Sequence, residues 1–399
     1  MGLRHVVFFL IATALWALGH WYVGRTLLDP LALEKARRRQ AWILLAALAL
    51  LAPITLGLGR GVDEASLLPL RWIGFGYMGL FTVVFFGSLF RDLLVMSGRI
   101  AFALRRLGSL DPQPPDPERR RFFANAANAG LLAGSGALSA HGVREALRAP
   151  ALLERDVPIR DLPEALRGYR ILQISDLHVG PTIRREFVQA VVEQANALAP
   201  DAVVVTGDLV DGTVHGLSQE VAPLAQLRAR DGVFFVTGNH EYFWDADAWI
   251  DEVERLGMIA LGNSHHVVRR GPSTLLFAGC HDHREARRLP GHGSDPAAAK
   301  AGAPACDLEI LLAHQPQSYE GALEAGYDLQ ISGHTHGGQF FPITLLVGLA
   351  HPFVAGLHRV GSMWLYVSRG TGYWGPPLRT GARSEIAVLR LIAEEPPHA

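Results

Sequence analysis

The sequence predicts an all-α transmembrane region of three to four helices followed by a layered α/β domain. Three observations carry that expectation. Hydrophobic residues make up 49% of the 399-residue chain, with a mean hydropathy of +0.17. The excess is concentrated before about residue 140, where it suits membrane helices better than an oversized core. From residue 157 onward short apolar runs alternate with longer mixed segments, as strands and helices do when they pack in layers. Histidine, aspartate and asparagine cluster just after several of those runs, at the strand ends where α/β domains hold ligands.

In chain order, residues 6–23 are nearly free of charge, 41–58 entirely so, and 72–90 uninterrupted until Arg91 and Asp92. Each suits one bilayer crossing, and membrane helices tolerate Pro53 and the glycines within these stretches. The predicted spans show no convincing internal charge network. Arg25, Lys35, Arg37, Arg38 and Arg39 follow the first span, only Arg60 and Arg71 the second, and Arg99, Arg105, Arg106 and Arg119 to Arg121 the third. By the positive-inside rule the first and third loops are cytoplasmic and the amino terminus is outside.

A proline-rich linker at 110–117 then leads into Arg119-Arg120-Arg121-Phe122-Phe123 and a small-residue run to residue 140. That arrangement is similar to a twin-arginine export signal, although such signals open a chain and this one is internal. Two readings stay open. Either 122–140 crosses as a fourth span and carries the following domain to the outer face, or it packs against the other three with its arginines on anionic lipid heads. The expected domains are a transmembrane region over 1–140, a linker over 141–156, a catalytic domain over 157–393 and a tail over 394–399.

Within the catalytic part, runs at 169–175, 202–206, 233–237, 274–278, 308–313, 329–332, 364–368 and 385–391 read as strands. Stretches at 184–198, 219–228, 246–256 and 319–325 read as helices, and the Gly-, Ala- and Pro-rich 291–304 as a mobile loop. A formal net charge of -1 offers no global field for nucleic acid. Cys280 and Cys306 are too few for a disulfide framework, with a single bridge left open.

The chemistry-bearing motifs are Asp176-Leu177-His178, Gly207-Asp208 with Asp211, Gly238-Asn239-His240-Glu241, His314, and Gly333-His334-Thr335-His336-Gly337-Gly338-Gln339. Carboxylate, imidazole and amide ligands in this mixture suit divalent Mn, Fe, Zn or Co. In that order the motifs resemble those of the calcineurin-like metallophosphoesterases, over roughly residues 157–393. Gly-His-Thr-His-Gly-Gly-Gln and the tail from Leu365 to Gly370 are similar to a bacterial membrane-associated branch that includes proteins acting on lipid-linked pyrophosphates.

The resemblance implies a four-layer αββα sandwich and a site for two divalent metal ions. Asp176, His178 and His336 would hold one ion, and Asn239, His314 and His334 the other, with Asp208 bridging. Two ions about 3.5–4 Å apart acidify a water and clamp both oxygens of an in-line displacement. His240 would contact the phosphoryl group and protonate the leaving oxygen. The implied function is a membrane-anchored phosphodiesterase or pyrophosphatase acting on a lipid-linked or glycolipid phosphate, such as a UDP-diacylglucosamine-like substrate. Its expected place is a bacterial inner (cytoplasmic) membrane, multi-pass, with the catalytic domain on the outer face and the lipid bilayer as partner. The alternative is a transmembrane transporter or sensor with a phosphoesterase-like regulatory module.

Further residues carry open alternatives. Asp211 either orients a ligand imidazole or is a solvated loop carboxylate. Arg369 and Arg379 either contact phosphate or form surface salt bridges. His265, His266, His281, His283, His292, His351 and His358 are expected to be exposed or packed. The apolar segment 340–357 either dips into the bilayer surface or lines an acyl groove, or else is a buried strand and turn.

Overall fold

The computed structural model describes residues 3–57, 67–106 and 116–394, so Arg60, most of the proline-rich linker and the last five residues lie outside the described residues. The chain divides into two compact units, residues 1–143 and 144–399.

Helices stand at all four expected positions of the first unit: α1 (Leu3–Leu28), α2 (Lys35–Gly57), α3 (Leu68–Arg106) and α4 (Pro117–Leu147). Among the described residues, one stretch, Leu68–Ala101 within α3, is long and apolar enough to cross a bilayer. Val23, Phe81 and Val84 form a small core with Trp16, Tyr22 and Tyr77 against it. Glycines allow the close approaches that membrane helices favour: a Cβ on Gly24 would meet the Trp42 ring at 2.6 Å.

Polar groups inside this unit find one another, through an ion pair just past the end of the third expected span. Tyr22 Oη donates to Asp92 Oδ2 at 2.6 Å, Arg91 pairs with Asp92 at 2.6 Å and also reaches Asn128, and Asn128 Nδ2 donates to Thr26 O at 2.9 Å. His20 Nε2 lies 2.8 Å from Tyr77 Oη. The Arg91 and Asp92 charges neutralise each other and tie α1, α3 and α4 together.

The second unit contains two six-stranded sheets. Its strands are β1 (Ala151–Ile159), β2 (Arg170–Ile174), β3 (Ala202–Thr206), β4 (Val233–Val236), β5 (Ile259–Ala260), β6 (Ser264–Arg270), β7 (Ser273–Gly279), β8 (Leu308–Leu312), β9 (Leu329–Ser332), β10 (Gly356–Val360), β11 (Met363–Val367) and β12 (Glu385–Ala393). One sheet runs β1-β12-β2-β3-β4-β5 and the other β10-β11-β9-β8-β7-β6, both with mixed strand directions. Its helices are α5 (Arg185–Ala197), α6 (Val214–Val221), α7 (Asn239–Phe243), α8 (Ala246–Arg255), α9 (Pro296–Ala299), α10 (Tyr319–Ala325) and α11 (Ile343–Leu346).

Period-two alternation distributes the side chains into layers. Strand β3 sends Ala202 and Val204 into the core between the sheets, with Phe234, Phe277, Ile310 and Leu389. Val203 and Val205 point the other way, against Val188 and Val192 of α5 and Trp249 of α8. On the far side of the second sheet, Leu276 and Leu311 meet Ala299 of α9 and Ala322 of α10. Helix, sheet, sheet and helix therefore follow one another, and every parallel strand of the centre ends at the same crevice.

Several expectations need correction. Residues 151–156, read as linker, belong to β1, which pairs with all of β12. The stretch 291–304, read as a bare loop, carries α9, capped by the Asp295 side chain accepting from Ala298 N. A helix expected at 219–228 begins earlier, as α6, and ends in a 3-10 turn. Cys280 and Cys306 are both free.

Candidate metal centre

Each motif sits where a central strand stops, and the backbone turns sharply there. Asp176, His178, Asp208, His334 and His336 all adopt positive φ, between 50° and 73°. For residues other than glycine this conformation is unfavourable by about 1 kcal/mol or more. Five instances in one crevice require that the surrounding structure hold them. Gly238 and Gly333 leave room for that: an added Cβ would run into the Asp208 carboxylate at the first and into Ser175 and Asp176 at the second.

Main-chain donors fix the carboxylates. His334 N donates to both oxygens of Asp176, at 2.9 and 3.1 Å, and His240 N to Asp208 Oδ1 at 2.9 Å. Glu241, fully buried, accepts from Asp208 N, Leu209 N and Gly238 N at 3.1, 2.8 and 2.6 Å. Sequence reasoning quoted Glu241 within its motif without giving it a role. Its place two residues after Asn239 at a strand end was the available signal.

Three buried or nearly buried groups gather ligand atoms within 4.8 Å: Asp176, His178 and His336; His178, Asp208 and His240; Asp208, His314 and His334. His314 Nε2 lies 3.2 Å from each of Asp208 Oδ2, His334 Nδ1 and Asn239 Oδ1. Its other nitrogen, Nδ1, is 2.8 Å from Thr206 O. A carbonyl takes only a donated proton, so neutral His314 presents Nε2 as a lone pair, the orientation a metal ligand requires.

On the other side, His336 Nε2 is 3.0 Å from His178 Nε2 and 3.5 Å from Asp176 Oδ1. Arg379 Nη2 donates to His336 Nδ1 at 3.1 Å, so neutral His336 carries its proton on Nε2 and passes it towards His178. His178 Nδ1 stands 3.3 Å from Asp211 Oδ2, close enough for attraction though outside hydrogen-bond geometry. The donor set fits two divalent cations: the Asn239, His314 and His334 group once His314 gives up the extra proton that Asp208 favours on it, and the Asp176, His178 and His336 group once the His336 proton sits on Nδ1 and frees Nε2, with Arg379 Nη2 left to its carbonyl partner.

Electrostatics agree. Burial disfavours charge on every group here, yet His314 is raised to about 10 because Asp208 and Asp176 face it. His240 is raised to about 9 against burial, by Asp208 and Asp211. Asp208 ends well below the usual carboxylate range, the imidazoles outweighing its burial. Burial, with the charge on His314 added, pushes His334 down to about 3. Protonated imidazoles thus supply the positive charge that this buried carboxylate cluster needs.

The remaining expected residues divide. Asp211 Oδ1 binds His240 Nδ1 at 2.5 Å, an orienting contact, so it is no solvated carboxylate. Arg379 is not a phosphate contact. It is buried, and its two Nη groups are spent on the carbonyls of His336, Arg369, Gly372 and Ala382. Arg369 pairs with Glu385 at 3.2 Å.

Two exposed aromatic rings that sequence reasoning did not single out flank His240: Phe243 at 5.2 Å and Trp374 at 6.0 Å between ring centroids. The buried Gln339 amide holds the Trp374 backbone, accepting from its N at 2.9 Å and donating to its O at 2.8 Å. Further along the segment that follows Gln339, Leu345 of α11 is 71% exposed and Leu349, in the 3-10 turn after α11, 86%.

Comparison with known proteins places this geometry. The pattern of the calcineurin-like phosphoesterases matches residues 169–338. A transmembrane protein with metallophosphoesterase domain from Danio rerio is 42% identical over 263 residues, covering 64% of this chain and 60% of that protein. Its Bos taurus counterpart is 40% identical with the same coverage, so the chain spans about 60% of the length of these relatives. An uncharacterized metallophosphoesterase of Helicobacter pylori is 36% identical over 278 residues, covering 69% of this chain and 73% of that one.

Proposed function

The chain belongs to the calcineurin-like metallophosphoesterase family, and from that premise we propose that it is a membrane-anchored phosphohydrolase acting on a lipid-linked or glycolipid phosphate through two divalent cations. The observation that carries the reading is the buried convergence of Asp208, His314, His334 and Asn239 on one side and Asp176, His178 and His336 on the other. Asp208 belongs to groups on both sides, the place of a bridging carboxylate.

Two divalent ions held there would supply positive charge to phosphoryl oxygens and lower the pKa of a water for in-line attack. The chain's own residues do the rest. Asp211 anchors His240 Nδ1 and leaves Nε2 3.8 Å from Asp208 Oδ2, facing the cluster, where it can hand a proton to the departing oxygen. Glu241 keeps the Asp208 turn in place through three N–H bonds, and Arg379 does the same for the loop behind His336.

The apolar rim supports a lipid-linked substrate. Exposed Phe243 and Trp374 flank His240 of the cluster, and Leu345 and Leu349 are exposed on the segment that follows the Gly-His-Thr-His motif, apolar surface on which a soluble phosphate ester would meet little to recognise. Membrane anchoring is supported by the Leu68–Ala101 stretch and by the names of the vertebrate relatives.

The test is hydrolysis by the purified full-length protein, stripped of metal and then given Mn²⁺, on phosphate mono- and diesters. Activity is expected to return with Mn²⁺ in the wild type and not in Asp208→Asn. Wild-type protein that stays inactive on every ester after metal return would sink the reading.

A further inference from the structure

Between α1 and α2, well away in sequence from the phosphoesterase motifs, two adjoining hollows share the walls Trp21 and Trp42. The inner one, about 310 Å³, is lined by Ala17, Ala46 and Ala49, by Leu45 and Leu50, and by His20, whose two ring nitrogens are engaged by Trp16 O and Tyr77 Oη. The outer one, about 450 Å³, opens between the guanidinium groups of Arg25 and Arg38. We propose that this seam is a binding site for one anionic phospholipid, with its phosphate on Arg25 and Arg38 and an acyl chain in the apolar slot.

The argument starts from helix geometry. Ala17, Trp21 and Arg25 are four residues apart, so they line one face of α1, and Arg38, Trp42, Ala46 and Ala49 do the same on α2. The helices run antiparallel: Trp16 Nε1 donates to Ala49 O at 2.9 Å at one end, and Asp29 joins Arg25 at 3.2 Å and Arg38 at 2.8 Å at the other. Along α2, from Trp42 to Leu50, the slot is about 12 Å long at 1.5 Å per residue, enough for much of an acyl chain.

Small side chains make the floor because only they leave depth between two packed helices. Trp42 reaches its place in the wall because Gly24 carries no Cβ, which would come within 2.6 Å of its ring. Arg25 lies over the Trp21 ring at 5.3 Å, so base and aromatic stack at the mouth, as they do at the level of lipid headgroups.

Charge selects the occupant. Asp29 engages Nε of Arg25 and one Nη of Arg38, while each guanidinium has five N–H donors. Two arginines against one carboxylate leave a net positive mouth with planar donors still available, which matches a phosphate better than the paired charges of a zwitterionic head. An apolar slot that opens directly beneath favours a phosphate carrying a chain over a free one. This inference rests on the reading of the helical unit as membrane-embedded.

Two measurements separate the claims. Membranes containing the full-length protein are first washed with alkaline carbonate; release into the wash would overturn the membrane reading and the lipid site together. Protein retained by the membrane is purified in mild detergent with equal amounts of phosphatidylglycerol and phosphatidylcholine, and co-purifying lipid is counted by native mass spectrometry.

One phosphatidylglycerol per chain is expected, at least ~10-fold over phosphatidylcholine and not displaced by millimolar inorganic phosphate. Arg25→Gln with Arg38→Gln should abolish the preference, and Ala46→Leu with Ala49→Leu should fill the slot and reduce bound lipid of either kind. Unchanged thermal midpoints and Mn²⁺-dependent ester hydrolysis in these variants confirm folding. Equal retention of the two lipids by the wild type means an unselective lipid shell and overturns the proposal, as does displacement by inorganic phosphate alone.

Discussion

Arg379 shows how one side chain sets a site it never exposes. Its guanidinium caps the carbonyls of His336, Arg369, Gly372 and Ala382, and an orphaned buried acceptor costs about 1–3 kcal/mol. Arg379→Ala is therefore expected to cost about 3 kcal/mol or more and to lower the apparent melting midpoint by about 6–12 °C. A midpoint within a degree or two of wild type would mean that the loop does not depend on it. The two motif histidines make a second prediction. His334→Ala should remove the cation shared with Asn239 and His314, and His336→Ala the one shared with Asp176 and His178, each variant retaining about one metal per chain. Loss of the same ion from both, read crystallographically, would refute the division. His281 supplies a pH test away from the ligands. Burial, with His292 stacked on it, lowers it from 6.5 to about 4. The unfolded chain then takes up a proton that the folded one refuses, so this contribution is intact above about pH 6.5 and lost as pH falls towards 4. Wild type should lose more melting temperature between pH 7.5 and 5.5 than His281→Asn; parallel losses would assign the dependence elsewhere. The cluster was legible at this scale because ligand chemistry forces rare residue pairs next to glycines. Arg379 was misread because a chain of residue types does not reveal burial.

Among elements, legibility followed burial on both faces. Strands β3, β4 and the body of β7 read as continuous apolar runs because one face meets the other sheet and the opposite face meets helices. Edge strands escaped notice: β1 carries Glu154, Arg155 and Asp156, β6 carries His265 and His266, and β10 carries His358 and Arg359, polar residues that an open edge tolerates and that disguise alternation. Helix α11 is the element with a functional expectation of its own. Its segment began as either a buried strand or a lipid contact, and the structure separates the two within a few residues: Phe353 packs on Tyr319 and His358, whereas Leu345 and Leu349 face solvent. Replacing those two leucines with serine should therefore leave stability nearly unchanged. Turnover of a phosphate ester presented in vesicles should fall about 10-fold, the equivalent of 1.4 kcal/mol, with little change on a soluble chromogenic ester. Equal losses on both substrates would end the case for a lipid-facing rim.

For the molecule as a whole, the side of the membrane on which the α/β unit works depends on whether α4 crosses. Its sequence is only weakly apolar, and Asn125 and Asn128 argue against a crossing when read singly. In the folded helical unit the Asn128 amide is paired on both sides, its Nδ2 donating to Thr26 O at 2.9 Å and its Oδ1 accepting from Arg91, and Asn125 Nδ2 donates to Pro30 O at 3.3 Å while its Oδ1 stays unpaired, so internal pairing of the kind a bilayer demands covers three of the four amide groups. Phe122, Phe123 and Leu132 meanwhile are exposed on the outside of α4, where lipid would cover them. A fourth crossing places the carboxyl terminus opposite to the arginine-rich loops, by the same rule that puts those loops in the cytoplasm. Alkaline phosphatase fused after Ala399 in a bacterial host is expected to be active, and a fluorescent protein at the same position dark. Leu132→Arg puts a charge in the middle of α4, at a cost of about 2.5–3.5 kcal/mol on insertion scales, and should invert both signals while leaving α1 to α3 in place. A bright fluorescent fusion and a silent phosphatase in the parent chain would put the metal cluster on the cytoplasmic side, with α4 lying against its neighbours and its arginines on the inner leaflet.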